Sequence, residues 1–145
     1  MSEQRGIASV SEAVEKKYIL IVEDDPDTGT LLVLALEQYT LLTALLVKSS
    51  AEALRIVQET IPVLLLLDYY LGDLNGLELF DQLHSMVGLE AVPTLMMSAG
   101  TLPPEGKQQI GARQIVFLSK PFDLDELFET IDALLARRAT DELIC

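Results

Sequence analysis

The sequence predicts an α/β domain, a parallel sheet covered by helices on both faces. Three observations carry that expectation. Five short apolar runs alternate with segments that bear helix-start signals. Most of the runs are too uniformly apolar to leave one strand face in water. The 145 residues, with no internal repeat and no low-complexity linker, are the amount of chain one ordinary domain needs for its core.

The first run, YILIV at 18–22, is followed by Asp25 and Pro26. Asp25 can cap a helix whose first position is proline, where the missing N–H costs nothing. The helix interior, TLLVLALEQY, is apolar nearly all round, so the cap and the alanine and leucine content decide against a strand. After the second run, LLTALLV at 41–47, Ser49 and Glu52 have the spacing of a capping box, and Pro62 marks the far end of that segment. The third run is VLLLL at 63–67. A helix then starts near Asn75 and Gly76, and Leu79, Phe80, Leu83, Met86 and Val87 are spaced to cover one face of the sheet. The fourth run is PTLMM at 93–97. Between Thr101 and Arg113, Pro103, Pro104, Gly106 and Gly111 surround only a short polar segment, which predicts a brief or irregular fourth helix. The fifth run, QIVFL at 114–118, precedes the clearest helix. There Asp123 is the cap, Glu126 stands at the third position, Phe122 and Leu127 are spaced as a hydrophobic staple, and Leu124, Leu127, Phe128, Ile131, Leu134 and Leu135 form one stripe.

Composition narrows the function. Ten basic against 23 acidic residues give a formal charge of -13, which would repel a phosphate backbone and argues against direct nucleic-acid binding. Basic partners or a cation fit better. No apolar run approaches the length of a membrane span, and the polar N-terminal stretch has no signal-peptide core, so a cytoplasmic protein is expected. The one cysteine, Cys145, permits neither a disulfide framework nor a thiolate metal site. His84 reads as a surface residue on the polar side of the third helix, and Tyr18, Tyr39 and the methionines as core or boundary residues.

In open parallel sheets, ligands bind beyond the carboxyl ends of the strands. The first run ends in Glu23-Asp24-Asp25, the third in Asp68, the fourth in Ser98 and the fifth in Lys120-Pro121. That places three or four carboxylates, a hydroxyl and an ammonium on one edge. Asp25 is better read as the helix cap than as a metal ligand. Like charges this close raise one another's pKa unless a cation intervenes, and hard oxygen ligands suit Mg2+. A carboxylate balanced in this way can attack phosphorus and form an acyl phosphate.

With these residues the sequence resembles the receiver domain of two-component response regulators. The motifs are ILIVEDDP, LLLLD followed by LNGLEL, MMSA and FLSKPF, in the family's order, and the resemblance covers 18–138. Residues 1–17 are then an N-terminal extension and 139–145 a C-terminal tail. The resemblance implies a flavodoxin-like fold with five parallel strands in the order 2-1-3-4-5. By position it implies that Asp68 is the phosphoacceptor, that Asp24 ligates Mg2+ directly, and that Glu23 acts mainly through water. It implies further that the Tyr70 backbone carbonyl completes the metal site, that Ser98 is the switch hydroxyl, that Lys120 pairs with the phosphoryl group, and that Phe117 is the switch aromatic. Pro121 matches a proline that commonly follows a cis peptide bond.

The implied function is a single-domain response regulator that accepts a phosphoryl group from a sensor histidine kinase or a histidine phosphotransfer protein. It would act on a downstream effector protein, as a monomer or a phosphorylation-linked dimer, and would not be a turnover enzyme. No effector domain follows Leu135, so output is expected through another protein. A receiver-like module that is no longer phosphorylated would lack a complete site, and this sequence keeps one. A Mg2+-dependent phosphatase of the haloacid dehalogenase type would need a second aspartate two residues after its nucleophile, where Tyr70 stands. The loop after Asp68 departs from the family in lacking its usual methionine and proline. Gly72 stands in the proline's place and should loosen the loop. Tyr70 is expected to lean over the site and slow attack of water on the phosphorylated aspartate.

Overall fold

The computed structural model describes residues 17–144, so the expectations for residues 1–16 and for Cys145 lie outside the described residues. Five parallel strands stand in the order β2-β1-β3-β4-β5, as the sequence predicts. They are β1 (Tyr18–Val22), β2 (Thr43–Val47), β3 (Leu64–Asp68), β4 (Thr94–Ser98) and β5 (Val116–Ser119). The helices that connect them are α1 (Pro26–Tyr39), α2 (Ser50–Val57), α3 (Gly76–His84), α4 (Pro104–Ala112) and α5 (Leu124–Ile144).

Strand alternation divides the core. Tyr18, Leu20, Val22, Leu65, Leu67 and Met96 face one way, under α2, α3 and α4. Ile19, Ile21, Leu64, Leu66, Leu95 and Met97 face the other, under α1 and α5. Every residue of β1, β3 and β4 is buried, which is why those runs carry no polar face. Leu127, Ile131 and Leu134 dock α5, each at most 1% exposed; burying one such leucine is worth about 2 kcal/mol.

Three helix starts follow the expected local chemistry. Asp25 accepts from the Thr28 amide at 2.9 Å, and Asp123 from the Glu126 amide at 2.7 Å. Asn75 and Glu78 form a two-way capping box. At α2 the box is only half made. Ser49 accepts from the Glu52 amide, but the Glu52 carboxylate takes the Lys48 amide instead of returning to Ser49.

Several expectations need correction. The fourth helix is neither brief nor irregular: α4 is a nine-residue α-helix. Pro103 and Pro104 open it, in positions where no N–H is wanted, and Leu102 and Ile110 are buried against the sheet. Gln114 belongs to the end of α4 and not to β5. It adopts the left-handed conformation (φ 58°) while the Ile115 amide reaches back to the Ile110 carbonyl. Leu41 lies outside β2 and is fully exposed, Val87 lies beyond α3 at 91% exposed, and Leu124 is 40% exposed at the free first turn of α5. Tyr39 is exposed too, stacked flat on Phe128 with ring centroids 3.9 Å apart and hydrogen-bonded to Asp132.

His84 is half-buried and not the free surface residue expected. Its ring stacks on Phe80 at 3.9 Å, one ring nitrogen lies 3.3 Å from the Thr94 hydroxyl, and burial pushes its pKa down. The backbone of α5 runs on to Ile144, past residue 138 where the domain was expected to end.

Candidate functional site

Parallel register builds the site. β1 and β3 are neighbours, with Val22 beside Leu67, so the residues that follow them, Glu23 and Asp68, meet at the sheet's carboxyl edge. Carboxylate oxygens of Glu23, Asp24 and Asp68 all lie within 4.8 Å of one another. Glu23 and Asp68 are buried and Asp24 is exposed, so the cluster opens to solvent on the Asp24 side. Asp25 points elsewhere. Its carboxylate is taken by the Thr28 amide and hydroxyl, the bonds that hold its pKa below the usual range.

Lys120 arrives from beyond β5. Its Nζ donates to Glu23 Oε1 at 2.7 Å and to Asp68 Oδ2 at 3.4 Å, so Glu23 is the closer partner. The Lys120-Pro121 peptide bond is cis, as the sequence pattern suggests. Burial lowers the lysine's pKa, but the Glu23 hydrogen bond and the charges of Asp68 and Glu23 outweigh it, and the net displacement is upward. Asp68 is pushed up to about 6, first by burial and then by Glu23 beside it; Lys120 and the Tyr70 amide oppose this without cancelling it. One ammonium does not balance three carboxylates.

The remaining expected residues are placed as follows. Tyr70 N–H donates to Asp68 Oδ1 at 3.3 Å, and no hydrogen bond among the described residues takes up the Tyr70 carbonyl. The Tyr70 ring is half exposed and meets Tyr69 edge-on, with centroids 4.8 Å apart. Ser98 closes β4 and is wholly buried, but its hydroxyl is engaged with the Gly100 backbone and not with Asp68. Phe117 is partly buried against the α2–α3–α4 side of the core.

Two features escaped the sequence reading. A Cβ at Gly76 would stand 2.8 Å from the Asp68 carbonyl oxygen and 3.0 Å from Tyr69 Cα, so α3 can approach the site only with glycine there. Asp73, in the loop after Asp68, accepts a hydrogen bond from the buried Ser50 hydroxyl at the start of α2. Nothing local in the sequence signals either one.

A strand-end acid cluster on a 2-1-3-4-5 sheet defines a class of signalling domain, and comparison with known proteins makes it definite. The family model of the response regulator receiver domain matches residues 19–132, and the chain belongs to that family. It is 31% identical over 129 residues to the transcriptional regulatory protein GlrR of Escherichia coli (strain K12), covering 86% of this chain but 28% of that one. It is 29% identical to the phosphate regulon transcriptional regulatory protein PhoB of Rhizobium meliloti (strain 1021), covering 87% of this chain and 55% of the relative. The chain thus spans only part of the length of these relatives. Among solved structures, a sensor protein from Polaromonas sp. JS666 superposes with TM-score 0.74 at 27% identity, over 84% of this chain and 98% of that one. A CheY-like receiver domain protein from Methanospirillum hungatei JF-1 shares the fold with TM-score 0.79 at 23% identity, over 87% and 98% of the two chains. No helix among the described residues is long and apolar enough to cross a membrane.

Proposed function

We propose that this receiver domain takes a phosphoryl group on Asp68 from a phosphohistidine of a sensor kinase or phosphotransfer protein and hands the change on to an effector protein. The observation that carries this reading is the close grouping of the Glu23, Asp24 and Asp68 carboxylates, with the Lys120 ammonium paired to Glu23 and Asp68.

The residues fit Mg2+. All the donors are hard oxygens, an excess of negative charge is buried, and the cluster opens to water through Asp24. Asp24 and Asp68 would hold the ion directly, with the Tyr70 carbonyl, and Glu23 through water. When bound, it would neutralise charge on the carboxylates and on the transferring phosphoryl group.

The chain's own residues do the rest. An Asp68 carboxylate oxygen attacks phosphorus; the O–P bond forms as the N–P bond breaks, and its electron pair leaves with the imidazole, which takes up a proton. Lys120, already 3.4 Å from Asp68, stays beside the new negative group. The Ser98 hydroxyl, held among the described residues by Gly100 contacts of 3.3 and 3.4 Å, is free to turn towards the phosphoryl oxygens. Phe117 lies on the core side of β5, where a change of rotamer alters the surface next to α4.

The test is incubation with acetyl phosphate, or with a beryllofluoride salt, and Mg2+, read by intact mass or fluorescence on the wild type and Asp68→Asn. A single Mg2+-dependent modification, absent from Asp68→Asn, is expected. An unmodified wild type would favour the reading as an interaction module that is not phosphorylated.

A further inference from the structure

The loop between β3 and α3 is secured at both ends. At its start the Tyr69 amide donates to the Met97 carbonyl at 2.7 Å and the Gly76 amide to the Tyr69 carbonyl at 2.7 Å. At its end Asn75 and Glu78 exchange capping bonds of 2.8 and 3.0 Å. Between them lies Gly72, with open space where a Cβ would stand and the conformational freedom that goes with it.

Among the described residues, the polar tie from residues 71–74 to another element runs to Ser50. The Ser50 hydroxyl, in the first turn of α2 and 4% exposed, donates to the Asp73 carboxylate. That carboxylate also takes the Leu74 amide at 2.9 Å, which orients it within the loop. Ser50 follows β2 and Asp73 follows β3, two strands separated in the sheet by β1, so the bond bridges the carboxyl edge.

We propose that the Ser50–Asp73 bond is a positioning device for the cation site: it pins the β3–α3 loop so that the Tyr70 carbonyl stays beside Asp68. The inference rests on the reading of Glu23, Asp24 and Asp68 as a Mg2+ site. Leu71 and Leu74 pack the loop against the core, and the backbone freedom that Gly72 leaves between them would have to be ordered when the ion binds, an entropy that comes out of the affinity. The structure supplies the order beforehand. Ser50 and Asp73 are positioning residues and not ligands, since neither belongs to the acidic cluster.

The test is Mg2+ titration of the full chain followed by amide chemical shifts of Asp68 and Tyr70, with thermal unfolding in the absence of Mg2+ as a control. Ser50→Ala leaves every carboxylate in place, so a change of affinity in it does not come from lost charge. It is expected to raise the half-saturating Mg2+ concentration by about three- to tenfold, the net effect of losing one ordinary hydrogen bond, since the Asp73 carboxylate left behind is open to water. The limiting shift at saturation should stay unchanged, and Ser50→Thr should restore wild-type binding. Asp73→Asn, which keeps an acceptor, should be less affected than Asp73→Ala, and adding Ser50→Ala to Asp73→Ala should weaken binding no further. Wild-type half-saturation in Ser50→Ala would overturn the positioning role alone, and so would equal weakening by Ser50→Ala in both backgrounds. A wild type that does not respond to Mg2+ would overturn the cation site, and this inference with it.

Discussion

Asp68→Asn should stabilise the cation-free protein. The folded chain holds the Asp68 carboxyl at about 6 against an ordinary 3.8, because it is buried beside Glu23. The folded state therefore binds this proton more tightly than the unfolded state between about pH 4 and pH 6. Stability must fall as pH rises through that window and stay reduced above it. The displacement corresponds to about 3 kcal/mol at neutral pH. Asparagine removes the charge and keeps an acceptor for the Tyr70 amide and for Lys120, which still has Glu23 at 2.7 Å. That displacement is already net of the Lys120–Asp68 attraction, so the expected gain is on the order of 2–3 kcal/mol. The assay is urea unfolding of both proteins with a chelator at pH 4.5, 6 and 8, repeated at pH 8 with Mg2+. The variant's advantage should be small at pH 4.5, full at pH 8, and reduced or reversed by Mg2+, which stabilises only a folded state that binds it. An Asn variant no more stable than wild type at pH 8 without the ion would refute the claim that Asp68 is a buried, undercompensated charge.

Three further outcomes are expected. In NMR, the imidazole of the single histidine should titrate below 6.5, because burial against Phe80 disfavours its charged form; its share of stability is then lost as pH falls from 6.5, and a midpoint at or above 6.5 would contradict the buried placement. Gly111→Ala, which meets open space on α4, should stabilise by about 0.5–1 kcal/mol, whereas Gly76→Ala, whose Cβ would strike the backbone of Asp68 and Tyr69, should lower the melting temperature. Tyr70→Ala should shorten the lifetime of phosphorylated Asp68 in a dephosphorylation time course if the ring, which reaches 4.0 Å from where a Gly100 Cβ would stand, screens the site from water; an unchanged half-life would show that the ring is a bystander.

What the sequence made legible was local. Asp25 before Pro26, Asn75 before Glu78 and Asp123 before Glu126 announce helix starts because a cap acts within three residues. Uniform leucine and isoleucine runs announce buried strands because a parallel sheet has no wet face. The failures were non-local or ambiguous. Two prolines and two glycines read as a loop, yet Pro103 and Pro104 sit where helices tolerate proline, and the burial of Ile110 holds α4 in place. His84 looked solvated because its neighbours in the chain are polar, while Thr94, its hydrogen-bonding neighbour, lies on another element. The acid cluster could be listed from strand ends, but the preference of Lys120 for Glu23, a residue 97 positions away, could not.

The reach that Lys120 needs to meet these carboxylates explains the residue types at the edge. Adjacent strands stand about 4.8 Å apart, so β5 is roughly twice that distance from β3 and farther still from β1. A group launched from the end of β5 must cross the end of β4 to meet Asp68 and Glu23, and only a long side chain can do so. Lys120 is anchored for the crossing by its own amide, which donates to the Ser98 carbonyl at 2.8 Å. The residue it crosses is correspondingly small: Ser98 is wholly buried. A bulkier side chain at 98 would stand in the lysine's path. An alanine there would clear the path equally well but give up the hydroxyl's contacts with the Gly100 backbone.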